Sequence, residues 1–204
     1  MSEIYALSDD ALTPPQTIFS QIDEILRCGV KLVQYRSKLA VRDEALIRSL
    51  ISLCEDYGAK LIINDDAALA KKLGAHGVHI GEGDGETAQV REFLGADKII
   101  GVSCYAGLAR ARQAEAQRAS YVAFGSLRRG KTKPDAPLCP DALVQEARKS
   151  LNLPIAVIGG INLENLNEIL ALKPDYIAMV EAIYKPASIT QNLANLKEKM
   201  DEYI

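Results

Sequence analysis

The chain has 204 residues, 48% of them hydrophobic and 25% charged, with a formal net charge of −3. That length suits one domain with a buried core and no need of disulfide bonds. The acidic balance argues against nucleic acid or an anionic membrane as a partner, because both select a basic surface. No apolar run approaches the ~18 residues of a membrane span. The first residues, MSEIYALSDD, are acidic where a signal peptide would be basic. Cys28, Cys54, Cys104 and Cys139 have no C-x-x-C spacing and read as reduced thiols, so a cytoplasmic location is expected.

Short β-branched runs predict strands over Ile4–Ser8, Lys31–Arg36, Lys60–Asn64 and Gly77–Ile80. Further strands are predicted over Lys98–Ser103, Tyr121–Gly125, Pro154–Gly159 and Tyr176–Val180. Runs such as LIIN, IIGVS and IAVIG are almost continuously apolar, as in parallel strands buried on both faces. Helical periodicity falls between them, over Gln16–Arg27, Arg42–Tyr57, Asp66–Leu73 and Leu108–Arg118. It returns over Pro140–Lys149, Leu163–Leu172 and Ile189–Met200. Eight strand–helix units favour an α/β fold of the single (β/α)8 TIM barrel type, residues 1–204, over a doubly wound sheet. The first turn, SDDALTPP, lacks the glycines that a dinucleotide-binding sheet would carry there. One connection, Ser126–Asp141, holds three prolines and no helical period, and is the candidate active-site lid.

Barrel ligands bind at the C-terminal strand ends, so the residues falling there carry the functional reading. They are Gln34, Arg36 and Lys38; Asn64, Asp65 and Asp66; Glu82 and Asp84; Ser103; Arg128, Arg129, Lys131, Thr132 and Lys133; Gly159 and Gly160; and Glu181. Asp65 and Asp84 end neighbouring strands, and a shared cation would relieve their repulsion. Oxygen-only donors favour Mg²⁺ over zinc or copper. Capping of the helix from Asp66 is the structural alternative for Asp65. Arg36, Lys38 and Lys133 would complement a diphosphate around that metal. Gly159-Gly160 reads as a helix start able to receive phosphate on backbone N–H groups. His76 and His79 form H-x-x-H, but residues three apart on a strand face opposite ways, which speaks against zinc.

The segments VQYRSK (33–38), IINDD (62–66), GAHGVHIGEGD (74–84), IIGVSCY (99–105), TKP (132–134) and AVIGGI (156–161) resemble the thiamine phosphate synthase family in sequence and in order. The resemblance implies a transferase joining an aminopyrimidine methyl diphosphate to a thiazole phosphate. Arg36, Lys38, Ser103 and Lys133 would be its catalytic set, and Asp65 and Asp84 its Mg²⁺ ligands. Gln34, Tyr35, Arg36, Ser37, Lys38, Asn64 and Ser103 would bind the pyrimidine diphosphate. Lys133 would also contact the pyrimidine diphosphate, and Gly130, Lys131, Thr132, Gly160, Val180 and Glu181 would complete the substrate site toward the thiazole phosphate. The expected partners are these small molecules, without nucleic acid or membrane, and a homodimer is one expected assembly.

The chain departs from the family pattern in two places. Arg128-Arg129-Gly130 replaces an aromatic, a proline and a hydroxyl residue before T-K, and Glu181 stands where a small residue is usual. A pairing of Glu181 with Arg128 or Arg129 would offset the carboxylate beside a phosphate. Three alternatives stay open. One is a thiazole tautomerase of the sister family, although its catalytic histidine is Ser126 here. Another is a paralogue that binds thiamine precursors without turnover. The last is a different phosphate-binding barrel enzyme, such as a sugar-phosphate isomerase or epimerase.

Overall fold

The computed structural model describes residues 2–130 and 137–203. Its strands are β1 (Glu3–Leu7), β2 (Leu32–Tyr35), β3 (Lys60–Asn64), β4 (Gly77–Ile80), β5 (Ile99–Tyr105), β6 (Tyr121–Phe124), β7 (Ile155–Ile158) and β8 (Tyr176–Met179). Each pairs in parallel with its chain neighbour, and β1 pairs with β8 to close the barrel. The predicted barrel is therefore the observed one. The helices are α1 (Ile18–Arg27), α2 (Glu44–Asp56), α3 (Ala67–Leu73), α4 (Thr87–Leu94) and α5 (Leu108–Ala116). They continue with α6 (Asp141–Ser150), α7 (Leu166–Leu170), α8 (Glu181–Tyr184) and α9 (Ile189–Glu202). None of the described helices is long and apolar enough to cross a membrane.

Local chemistry sets the helix ends. Asp43 accepts hydrogen bonds from the N–H groups of Ala45 and Leu46 at the start of α2, and Ser188 caps α9 in the same way. Gly74 closes α3 at φ +77°, a backbone conformation that glycine adopts without a Cβ clash. The α7 helix is shorter than its period suggests. Asn162 Oδ1 accepts from Glu164 N and Asn165 N, and Asn165 Oδ1 accepts from Asn162 N. These side chains offer the backbone a turn in place of a helical ladder. Helices α4 and α8 escaped the sequence reading because eight and four residues give too few turns for a helical period to show.

Two apolar shells follow from strand alternation. The outer one packs helices on the barrel wall through residues such as Ile22, Leu50, Ile63, Val144 and Leu193. The inner one comprises Tyr5, Leu7, Leu32, Ile62, Tyr121, Ala123, Ala156 and Ala178. Three tyrosine rings fill the barrel at its centre: Tyr5, Tyr121 and Tyr176 meet edge-on with centroids 5.8–6.4 Å apart. Gly101 makes this possible, because a Cβ there would come within 2.0 Å of Tyr121 Cζ. Toward the C-terminal rim the inward positions turn polar, with Gln34, Asn64, His79 and Ser103 on β2 to β5.

Gly101→Ala should test this packing. The entropy gained by restraining the unfolded chain is about 0.4–1 kcal/mol, whereas forcing the Tyr121 ring aside costs about 1–3 kcal/mol. The clash wins, so the urea midpoint should fall with an unchanged m-value. A midpoint equal to or above the parent's would contradict the packing.

Candidate functional site

The loop after β1 builds one side of the barrel mouth. Ser8 is buried and donates from Oγ to Arg36 O at 3.0 Å, while Arg36 N donates to Ser8 Oγ at 2.7 Å. Asp9 lies 3.8 Å from the Arg36 guanidinium, and Asp10 accepts from Lys38 N at 2.7 Å. These acidic residues orient the segment that carries the two cations. The sequence reading used this loop only to exclude a dinucleotide fold. Tyr35, by contrast, points outward into the helix-facing core, its hydroxyl meeting Ser37. Its neighbour Gln34 points inward because alternate residues face opposite ways, so the structure does not bring the Tyr35 ring to the mouth.

At the end of β3, Asp65 takes φ +65°, a left-handed conformation that aspartate tolerates better than most residues. Its N–H donates to His79 O at 2.8 Å. The cap of α3 is Asp66, which accepts from Leu69 N at 2.8 Å and pairs with Arg42 at 2.9 Å. The alternative capping role for Asp65 is thereby corrected, and its carboxylate is left for the mouth. Asp65 and Asp84 do converge, near enough for each to shift the ionisation of the other. Asp84 Oδ2 also accepts from Gly81 N at 2.7 Å. Lys38 Nζ lies 2.5 Å from Asp65 Oδ2.

Electrostatics separates this pair. Burial favours the neutral form of Asp65, but the Lys38 hydrogen bond and charge, with hydrogen bonds from Asp84 and Asn64, hold its carboxyl below the ordinary value. Burial raises Asp84, opposed by the Gly81 N–H, and the charge and hydrogen bond of Asp65 raise it further. The Lys38 ammonium at Asp65 thus supplies positive charge where a small cation would satisfy both carboxylates. Among the described residues no group of three or more His, Cys, Asp or Glu side chains converges. Two carboxylates that leave other positions to water and ligand oxygens fit Mg²⁺.

Below them lies a buried polar row that sequence reasoning missed. Gln34 Nε2 donates to Tyr5 Oη at 2.8 Å, and Tyr5 Oη is 2.8 Å from Tyr121 Oη. His79 Nδ1 lies 2.9 Å from Tyr121 Oη, and His79 Nε2 lies 2.8 Å from Ser103 Oγ. His76 instead accepts from Leu61 N through Nδ1, so the two histidines serve separate places, as their spacing implied. A signal existed: inward alternation on β4 puts His79 in register with Gly101, the glycine beneath Tyr121. Burial pushes the His79 imidazole down to about 4, against a weaker opposing pull from Asp65.

On the far side, the lid segment is anchored at its base. Leu127 N and Arg128 N donate to Ile158 O and Gly159 O, and Cys139 N donates to Ser126 O. A Cβ on Gly159 would come within 2.0 Å of Ser126 Oγ, and one on Gly160 within 2.6 Å of Arg129 O. Both glycines also take positive φ. The pair therefore admits the lid backbone and does not open a helix directly, since α7 begins only at Leu166. Gly130 approaches Gly160, so these two predicted positions are neighbours. Lys131, Thr132 and Lys133 lie outside the described residues. Val180 borders the inner core, and Glu181 starts α8.

This mouth sits in a chain whose residues 4–183 match a sequence model described as thiamine monophosphate synthase. The chain belongs to the thiamine monophosphate synthase family. Thiamine-phosphate synthase of Nitrosococcus oceani is 43% identical over 91% of this chain and 87% of its own length. The enzyme of that name from Thioalkalivibrio sulfidiphilus is 41% identical over 89% of this chain and 87% of its own. Among solved structures, thiamine phosphate pyrophosphorylase from Pyrococcus furiosus superposes with TM-score 0.88 at 27% identity, covering 99% and 96% of the two chains. A 3-hexulose-6-phosphate synthase at 16% identity and TM-score 0.75 shares the barrel alone.

The departure from the thiamine monophosphate synthase pattern at Arg128 has a structural explanation. Arg128 binds Asp141 through both terminal nitrogens, at 2.8 and 2.9 Å, and Glu168 at 3.0 Å. It joins the first residues of the lid to α6 and α7. The expected pairing of Arg128 with Glu181 is corrected accordingly, because the Arg128 guanidinium is turned toward these two carboxylates. The structure offers no account of Gly130 standing in place of a hydroxyl residue beyond its contact with Gly160.

The low His79 pKa has a measurable consequence. An unfolded imidazole takes up its proton near 6.5 and the folded one only near 4, so the unfolded state binds more protons between them. Stability should therefore be intact above pH 6.5 and decline by about 3 kcal/mol as pH falls toward 4. Urea unfolding of the parent and His79→Asn across this window checks it. The variant should show a shallower pH slope, and two equal slopes would refute the assignment.

Proposed function

We propose that this chain catalyses thiamine phosphate synthesis from an aminopyrimidine methyl diphosphate and a thiazole phosphate. The observation that carries the reading is the Lys38–Asp65–Asp84 cluster at the mouth of a barrel whose chain belongs to the family. The reaction forms a bond from the thiazole nitrogen to the pyrimidine methylene carbon. The C–O bond to diphosphate breaks, and its electron pair leaves on the diphosphate.

Asp65 and Asp84 would hold Mg²⁺, which supplies positive charge for the leaving diphosphate when bound. Arg36 and Lys38, and Lys133 from the lid, would add cationic contacts to the same phosphates. Gln34, Asn64 and Ser103 offer hydrogen-bonding groups for the pyrimidine. Gly130, Lys131, Thr132, Gly160, Val180 and Glu181 would border the thiazole phosphate. The aminopyrimidine can carry the transient positive charge, so no protein nucleophile is needed. Positioning of two substrates and exclusion of water supply the remaining catalysis.

Both substrates with Mg²⁺ should yield thiamine phosphate and diphosphate, and chelation should stop turnover until Mg²⁺ is restored. Asp84→Asn should lower kcat on the order of 100-fold with little change in melting temperature. Binding of both substrates without product would overturn the catalytic reading. Undiminished turnover in chelator would overturn the metal alone.

A further inference from the structure

The row from Gln34 to Ser103 is a single file in which hydrogen-bond direction passes from end to end. Tyr5 and Tyr121 are fully buried, and burial raises both phenols, so each carries one proton to donate. A neutral imidazole at His79 likewise has one N–H and one acceptor nitrogen. Gln34 Nε2 can only donate, so Tyr5 accepts from it. Tyr5 must then donate to Tyr121, Tyr121 to His79 Nδ1, and His79 Nε2–H to Ser103. Any reversal within the file leaves a buried O–H or N–H without an acceptor. The Ser103 hydroxyl, having accepted from below, points its own proton toward the mouth.

Gln34 has a second end. Among the described residues no buried side-chain polar atom lacks a partner, and Gln34 Oε1 receives no hydrogen bond from any of them. That oxygen is therefore the reachable part of a side chain only 2% exposed. The mouth thus presents an acceptor on β2 and a donor on β5. Turning the Gln34 amide over would reverse every link and exchange the two roles.

We propose that Tyr5, Tyr121 and His79 are positioning residues that couple Gln34 to Ser103, so that the mouth offers one acceptor and one donor in a fixed arrangement. This deepens the proposed function and rests on it for the ligand, because an aminopyrimidine edge sets an amino donor beside a ring-nitrogen acceptor. The relay itself is testable without that ligand.

The chain contains two histidines, so nitrogen-15 and proton correlation of the ligand-free protein resolves both rings, with His79→Asn assigning the signals. His79 should be the Nε2–H tautomer. An Nδ1–H tautomer would overturn the assigned direction and make Ser103 the acceptor, and a mixture of the two would overturn the relay. Affinity for the aminopyrimidine diphosphate then reads the coupling in Gln34→Ala, Ser103→Ala and the double variant. In the parent, the double variant should lose about 5-fold less affinity than the product of the single losses. In a Tyr121→Phe background of unchanged melting temperature, the losses should multiply to within about 2-fold. Equal coupling in both backgrounds would refute the proposal. Failure of every form to bind the diphosphate would instead count against the enzymatic reading, with the tautomer still deciding the relay.

Discussion

Closing eight parallel strands into a ring forces their inward side chains toward one axis, and that crowding governs the rest of the molecule. There is not room for a large residue from every strand at each level. Gly101 and Gly77 yield space, and the rings of Tyr5, Tyr121 and Tyr176 take the centre. Aromatic rings bring apolar bulk, but each also brings a hydroxyl that burial obliges to find a partner. Tyr5 and Tyr121 find theirs among each other, Gln34 and His79. The same side chains that fill the barrel thereby connect its floor to its polar mouth.

At the rim the governing term is charge. Two carboxylates about 4 Å apart would repel by roughly 4 kcal/mol at an intermediate dielectric. The Lys38 ammonium relieves that repulsion at Asp65. On the opposite side, Arg128 binds Asp141 and Glu168 and so ties the lid base to two helices. Lys38 on one side of the mouth and Arg128 on the other are thus both held by carboxylates.

Much of this was legible in the chain itself. Strand positions, barrel closure and the convergence of Asp65 with Asp84 follow from period and register, which are local properties repeated eight times. Polar strand ends could be read as a ring because a barrel brings all its C-terminal strand ends to one rim. The outward direction of Tyr35 was equally contained in that alternation, although its place in the family-like segment VQYRSK drew it into the predicted site. Asp66 rather than Asp65 as helix cap depended on a single left-handed residue, which aspartate permits and does not dictate.

What the amino-acid order determined by itself was therefore the fold and the acidic pair, because each rests on neighbours in the chain or in adjacent strands. Only the tertiary structure decided the partners of Arg128 and the Tyr5–Tyr121–His79 row. Tyr5 and Tyr121 are 116 residues apart, and Arg128 reaches Glu168 across 40. Such contacts depend on where rings and long side chains meet once the barrel has closed, and no local period carries that information.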